Sequence, residues 1–167
     1  RALRRLNVTL IPETCVGVEV GALLLANGAR LVCDAPVLAV GTQAPAWLAD
    51  SGLALDEAGY LAVNAFQEST SHPRVFAAGD VASRVDAPHP RNGVHAVRAG
   101  VPLLANLRAA MQALPLKPYT PPPRTLNLLA CGSRYAIGAW GPFSFEGRWV
   151  WHRKDRIDRA FVARYAT

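Results

Sequence analysis

Thr70-Ser71-His72-Pro73-Arg74-Val75-Phe76-Ala77-Ala78-Gly79-Asp80 is the stretch on which the reading of this chain turns. The apolar run at 75–78 predicts a short strand that enters a small-small-Gly-Asp turn and then a helical stretch. A glycine at that point lets the backbone approach a bound polyol phosphate, and the aspartate after it can accept hydrogen bonds from sugar hydroxyls. That chemistry points to dinucleotide binding. The same residues also suit an ordinary turn, with Gly79 present for its backbone freedom and Asp80 capping the next helix.

Upstream, Pro36-Val37-Leu38-Ala39-Val40-Gly41 is apolar on both faces and again ends in glycine, the pattern of a buried parallel strand meeting a ligand crevice. Before it, 8–11, 18–20, 22–25 and 29–32 read as strands, and Asn27-Gly28 predicts a type I′ hairpin turn. Residues 53–63 read as strand, turn, strand, with Asp56 to Gly59 supplying the turn. Downstream of Asp80 a polar loop carrying prolines leads to a helix from Asn92, a candidate N-cap, to about Met111. Its apolar spacing runs through Val94, Val97, Val101, Leu104 and Ala105, and Pro102 predicts a kink or local break. His72 and His89 sit in loops with no evident partner.

The 167 residues suffice for one good core or two small ones, and a hydrophobic share of 51% against 18% charged describes a globular protein. No apolar run is long enough to span a bilayer, and no cleavage pattern follows the basic first residues. Three widely spaced cysteines, Cys15, Cys33 and Cys131, fit a reducing compartment and read as buried small hydrophobes. No pair has C-x-x-C or metal-ligand spacing, so neither a redox dithiol nor a metal site is expected. The net charge of +6 comes mostly from arginines spread along the chain, without the aromatic-basic clustering of a nucleic-acid binder.

Lys117-Pro118-Tyr119-Thr120-Pro121-Pro122-Pro123 reads as a stiff extended connector and a domain boundary. Beyond it, 126–131 and 135–140 form a strand pair around Gly132-Ser133, a short piece follows at 143–145, and 148–165 reads as a closing helix. That helix mixes Trp149, Trp151, Ile157, Phe161 and Tyr165 with arginines. A basic amphipathic helix of this kind can lie in a membrane interface, whereas packing on the preceding hairpin with solvated charges is the favoured reading.

Taken in order, the Gly41-x-x-x-Pro45 turn, the F-A-A-G-D motif, the N-G-V-x-A-V-R-x-G helix and the R-W-V-W-x-x-K-D-x-I-D-R-x-F tail resemble the pyridine nucleotide-disulfide oxidoreductase superfamily. Within it the chain is most similar to the NADH dehydrogenase-like flavoproteins, in particular the FAD-dependent module fused to selenide, water dikinase. Val40 stands where that family usually has threonine. The resemblance implies an α/β chain: the C-terminal portion of an FAD/NAD(P)-binding Rossmann-like fold followed by a small α+β interface domain. Residues 1–45 would end the nicotinamide-nucleotide-binding domain, 46–116 would close the FAD-binding domain, and 117–167 would form the interface domain.

The same resemblance implies cofactor contacts from Gly41, Ala78, Gly79, Asp80, Val81, Gly93, Val94 and His95, with His95 a wall of the flavin pocket. No catalytic acid, base or nucleophile and no metal ligand is implied. The cofactors would be FAD and NAD(P)H, with hydride passing to the flavin and on to an acceptor. The family's two G-x-G-x-x-G loops do not occur in this sequence, so the chain is expected to be the C-terminal part of a longer enzyme, inactive alone. Its expected partner is the N-terminal half of the same protein. A homodimer or a noncatalytic docking role through 124–167 is the alternative, and nucleic acid is not an expected partner. The expected location is cytoplasmic, with the terminal helix able to touch the inner face of a membrane.

Overall fold

A computed structural model describes residues 7–166. The chain divides into two compact units between Gly41 and Thr42.

The first unit is an antiparallel meander of β1 (Cys15–Glu19), β2 (Ala22–Leu25) and β3 (Arg30–Val32). Glu19 pairs with Ala22 across a two-residue link, and the register slips at a bulge between Cys15 and Gly17. The β2–β3 hairpin falls where Asn27-Gly28 predicted it, but not as a type I′ turn. Only Gly28 has a positive φ, +84°, while the Gly28 N–H bonds Leu25 O and the Asn27 side chain accepts from the Ala29 N–H. This is the three-residue alternative, a type I turn followed by a left-handed glycine.

Two strands expected here are not formed. Residues 8–11 are irregular and exposed, and 36–41 pair with nothing among the described residues, leaving Val37 92% and Val40 87% exposed. A parallel strand is stable only between neighbours, and this meander offers no parallel edge that the segment occupies. The cysteines also differ from expectation in burial: Cys15 is exposed, and Cys33 and Cys131 are half-buried.

The second unit is built around β4 (Leu61–Val63) and β5 (Ala82–Arg84), paired in parallel with Leu61 opposite Ala82 and Val63 opposite Arg84. Its core is Leu61, Val63 and Ala77, with Leu53, Leu55, Val75, Val81 and Ala82 packed around them. The strand-turn-strand expected at 53–63 is a turn at Asp56–Gly59 with one bridge, Leu55 to Leu61, before β4. The Asp56 carboxylate fixes that turn by accepting from the Ala58 and Tyr60 N–H groups.

Helix α1 (Gly93–Met111) starts where predicted, with the Asn92 side chain accepting from the Val94 and His95 N–H groups. It runs as one continuous helix through Pro102, so the local break expected there is not formed. Its predicted apolar face is also not the buried one: Val97, Val101 and Leu104 are exposed, whereas His95, Ala99 and Asn106 are buried. Hydrogen bonds explain the exchange. Asn106 donates to Phe66 O and Lys117 O and accepts from the Lys117 N–H, each at 2.9 Å, and Gln67 Nε2 donates to Ala99 O. The proline-rich segment is therefore a strap laid on this unit, also held by the Tyr119 N–H to Ala65 O at 2.8 Å and by Arg84 to Tyr119 O at 2.8 Å.

The C-terminal part is the antiparallel sheet β6 (Leu126–Ala130), β7 (Ala136–Trp140) and β8 (Phe143–Gly147), against which α2 (Arg148–Tyr165) packs through the fully buried Val150. Gly138 faces Phe145 across β7 and β8, and the aromatic ring occupies the space where a Cβ would stand. Ion pairs from Arg159 to Asp155 and from Lys154 to Asp158 line the outer face of α2. Among the described residues no helix is long and apolar enough to cross a membrane.

Candidate functional site

The turn at 79–81 is made by chain constraints on both sides. Upstream, the Ala77 N–H bonds Gln67 O and the Ser69 N–H bonds Val75 O, while Phe76 makes a single bridge to Glu68. The expected strand at 75–78 is thus reduced to that bridge. The helical stretch expected after Asp80 is one 3-10 turn, Gly79–Val81, followed directly by β5. Gly79 has φ +74°, a conformation that favours glycine, and a Cβ built there would stand 3.5 Å from that of Ala96 on α1. The turn therefore lies against the first turn and a half of α1, and the Asp80 side chain is exposed beside it.

A crevice opens between this turn, β5, the start of α1 and the strap, lined among others by Gln67, Asp80, Arg84, His89, His95 and Tyr119. The crevice is partly open, and its space amounts to about 20 Å³. His89 stacks on His95 with ring centroids 4.2 Å apart and 15° between planes, so His89 does have a partner. His72, the other loop histidine, also has one: its Nδ1 lies 2.9 Å from Ser71 Oγ.

The electrostatics are set by burial. Desolvation, then His89, then Arg98 push the His95 pKa below its ordinary 6.5, which favours the neutral imidazole. Burial likewise pushes the Tyr119 hydroxyl above 10, against the opposing charges of Arg98 and Arg84. Arg84 is buried and fully engaged, with a bidentate pair to Asp86 at 2.9 Å on both arms, and hydrogen bonds from it hold the Asp86 carboxyl below its usual range. Arg91 stacks on Tyr60 at 3.6 Å and bonds Asp56 at 3.0 Å. Partial burial raises the Asp56 pKa, but hydrogen bonds from Ser83, Tyr60 and Ala58 and the Arg91 charge together bring it below 3.8. Asp80, by contrast, makes no ion pair or side-chain hydrogen bond among the described residues, so its carboxylate is available to a ligand at the mouth.

Three buried side-chain atoms have no hydrogen-bond partner among the described residues: Gln67 Oε1, His95 Nδ1 and Tyr119 OH. All three belong to residues that line this crevice. An unsatisfied buried polar group costs about 1–3 kcal/mol, so their gathering at one place marks a ligand-facing surface.

The sequence pattern of the pyridine nucleotide-disulphide oxidoreductases matches residues 1–100, which include the whole Gly79-Asp80 turn and the start of α1. This chain belongs to that family. Among solved structures, the chain is similar to a protein described as Fdr9, at 24% identity and a TM-score of 0.47, over 71% of this chain and 36% of the other. The chain therefore spans little more than a third of that protein's length. No curated protein matches it.

In this chain, Ala78, Gly79, Asp80 and His95 line the crevice together. Val81 turns instead to the core beside Leu61, Val63 and Ala77. Gly93 and Val94 begin α1, where the Asn92 side chain takes the Val94 and His95 N–H groups. Gly41 belongs to the first unit, with φ +83° and open space around a built Cβ. Sequence reasoning did not find Gln67, Arg84, His89 or Tyr119. Each reaches the site through a tertiary contact, and none carries a local motif.

Proposed function

We propose that this chain is the C-terminal part of a longer FAD-dependent NAD(P)H oxidoreductase of the NADH dehydrogenase-like kind, most similar to the flavoprotein module fused to selenide, water dikinase. One observation carries the reading: at the mouth of the crevice a left-handed glycine lies bare against Ala96, and the next residue offers an exposed, unpaired carboxylate. Gly79 would let the backbone close on the ribityl chain of FAD, and Asp80 would accept hydrogen bonds from its hydroxyls. Ala78 and His95 would form the adjoining wall. The positive end of α1 would favour negative charge on the bound group through its dipole, because the Val94 and His95 N–H groups are already engaged.

When bound, the flavin supplies the hydride chemistry, while the protein binds, orients and shields it. A space of about 20 Å³ is far smaller than a flavin ring, so residues 42–166 would supply one edge of the cofactor site. Residues 1–45 would end the nicotinamide domain, 46–116 would close the FAD-binding domain, and 117–167 would form the interface domain. FAD and NAD(P)H would be bound by the whole protein, whose acceptor is of quinone-like or other class.

The test is flavin retention by the full-length protein. It should purify yellow, and Asp80→Ala should weaken flavin retention about ten-fold or more, the loss of a charged hydrogen-bond acceptor. A colourless full-length protein would sink the reading.

A second reading, docking or dimerisation through 124–167, is favoured by exposed Trp140, Phe143 and Trp149 gathered near Arg124 and Arg153. A full-length protein that sediments as a monomer at every concentration, and stays off anionic vesicles at low salt, would exclude it.

A further inference from the structure

We propose that Gln67, His95 and Tyr119 bind one ordered water molecule beneath the Gly79-Asp80 turn, and that through this water the protonation and tautomer of His95 are coupled to Tyr119. The site is independent of whether the crevice also receives a flavin.

Three features support the proposal. The first is the donor and acceptor inventory. Gln67 Nε2 is committed to Ala99 O at 3.1 Å, which orients the amide and presents Oε1 as a bare acceptor. His95 Nδ1 is a donor or acceptor according to tautomer, and the Tyr119 hydroxyl is both. A water has two donors and two acceptors, so one molecule satisfies all three.

The second feature is size. The space is about 20 Å³, and a water needs roughly 10–15 Å³ of such volume.

The third is placement. Gln67 is 2% and His95 4% exposed, and they come from the turn after β4 and from α1, while Tyr119 comes from the strap. Three separate elements line one crevice, and two of them are fixed there by other hydrogen bonds: Gln67 by Ala99, the strap at Tyr119 by Ala65 and Arg84.

The charged and titratable groups around His95 define what this coupling must work against. Arg98 lies on its own helix, His89 stacks on its ring, Arg84 and Arg91 stand on β5 and the following loop, Asp80 stands on the turn, and Tyr119 on the strap. Arg98 and His89 oppose a charged His95, as burial does. The water is then the group that decides which ring nitrogen carries the proton. An acceptor at Nδ1 faces a donor hydrogen of the water, whose other hydrogen reaches Gln67 Oε1 and whose oxygen accepts from Tyr119.

The test combines structure and titration on the full-length protein. A high-resolution crystal structure should show one water bonded to at least two of the three side chains. Imidazole nitrogen NMR should show His95 in a single neutral tautomer above its titration, and Tyr119→Phe and Gln67→Met should each shift its titration midpoint by several tenths of a pH unit. A purely structural role for Tyr119 would leave that midpoint unmoved. Absence of the water, or an unchanged midpoint in both variants, overturns the proposal. Flavin absorbance of the same preparations keeps the outcomes separate, since a colourless protein bears on the cofactor reading and not on this water site.

Discussion

Gly79 and Gly138 show how differently one residue type can be required. At Gly79 the constraint is the backbone: φ is +74°, while a Cβ would meet Ala96 at an ordinary 3.5 Å. Gly79→Ala should therefore lower stability by about 1–2 kcal/mol, the strain of a left-handed alanine. At Gly138 the backbone is unstrained, but a Cβ would stand 2.1 Å from Phe145 Cε2. The ring must leave its place, so Gly138→Ala should be the more damaging change, by about 1–3 kcal/mol of overpacking in addition to the lost ring contact. Urea denaturation of both variants checks the order, and equal losses would contradict it. The first glycine was legible because it sits in a local F-A-A-G-D pattern. The second was not, because its constraint is a cross-strand neighbour that no spacing rule names. His95 gives a prediction in pH. Its pKa is depressed on folding, so the unfolded chain binds the proton more readily below 6.5. Its contribution is present above that value and is lost as pH falls through the depressed folded value. The denaturation midpoint should fall as pH is lowered from neutrality, and His95→Phe should flatten that part of the profile.

Among the elements, α1 is where sequence and structure part most instructively. The Asn92 cap and both ends of the helix were readable, because a cap is a local exchange of hydrogen bonds. The buried face was not. Apolar spacing pointed to Val97, Val101 and Leu104, yet the helix turns His95, Ala99 and Asn106 inward, where Asn106 meets backbone carbonyls and an N–H group of the β4 turn and the strap. Asn106 satisfies Phe66 O and both backbone groups of Lys117. Asn106→Leu should accordingly lower stability by about 3 kcal/mol or more despite its added hydrophobicity, because it strands buried polar groups. A stabilised variant in thermal unfolding would show that burial of apolar surface, and not this network, holds the strap. The local break expected at Pro102 is not formed, which shows that neighbouring packing can carry a helix across one missing donor.

At the scale of the molecule, the two units differ in how much they bury. Among the described residues of the first unit Ala22 is the buried one, while Val8, Leu10, Val16, Val37 and Val40 are exposed. The second unit holds a core around Leu61 and Val63, the Asn106 network and the Val150 contact of α2 with its sheet. This is also why the 36–41 strand was misread: its sequence is that of a strand between neighbours, and strand pairing is a property of the partners as much as of the segment. The hairpins at 22–32 and 126–147 were legible because their partners are adjacent in sequence. Local stability follows buried contacts and protected hydrogen bonds. Amides of β1–β3 should therefore exchange with solvent well before those of α1 and β6–β8 when hydrogen exchange of this chain is followed by mass spectrometry. Within the second unit, the Tyr119 and Lys117 amides should be retained longer than their irregular backbone alone would suggest, because Ala65 and Asn106 accept from them. Exchange of the meander as slow as that of α1 would mean that it has a packing partner which the described residues do not supply.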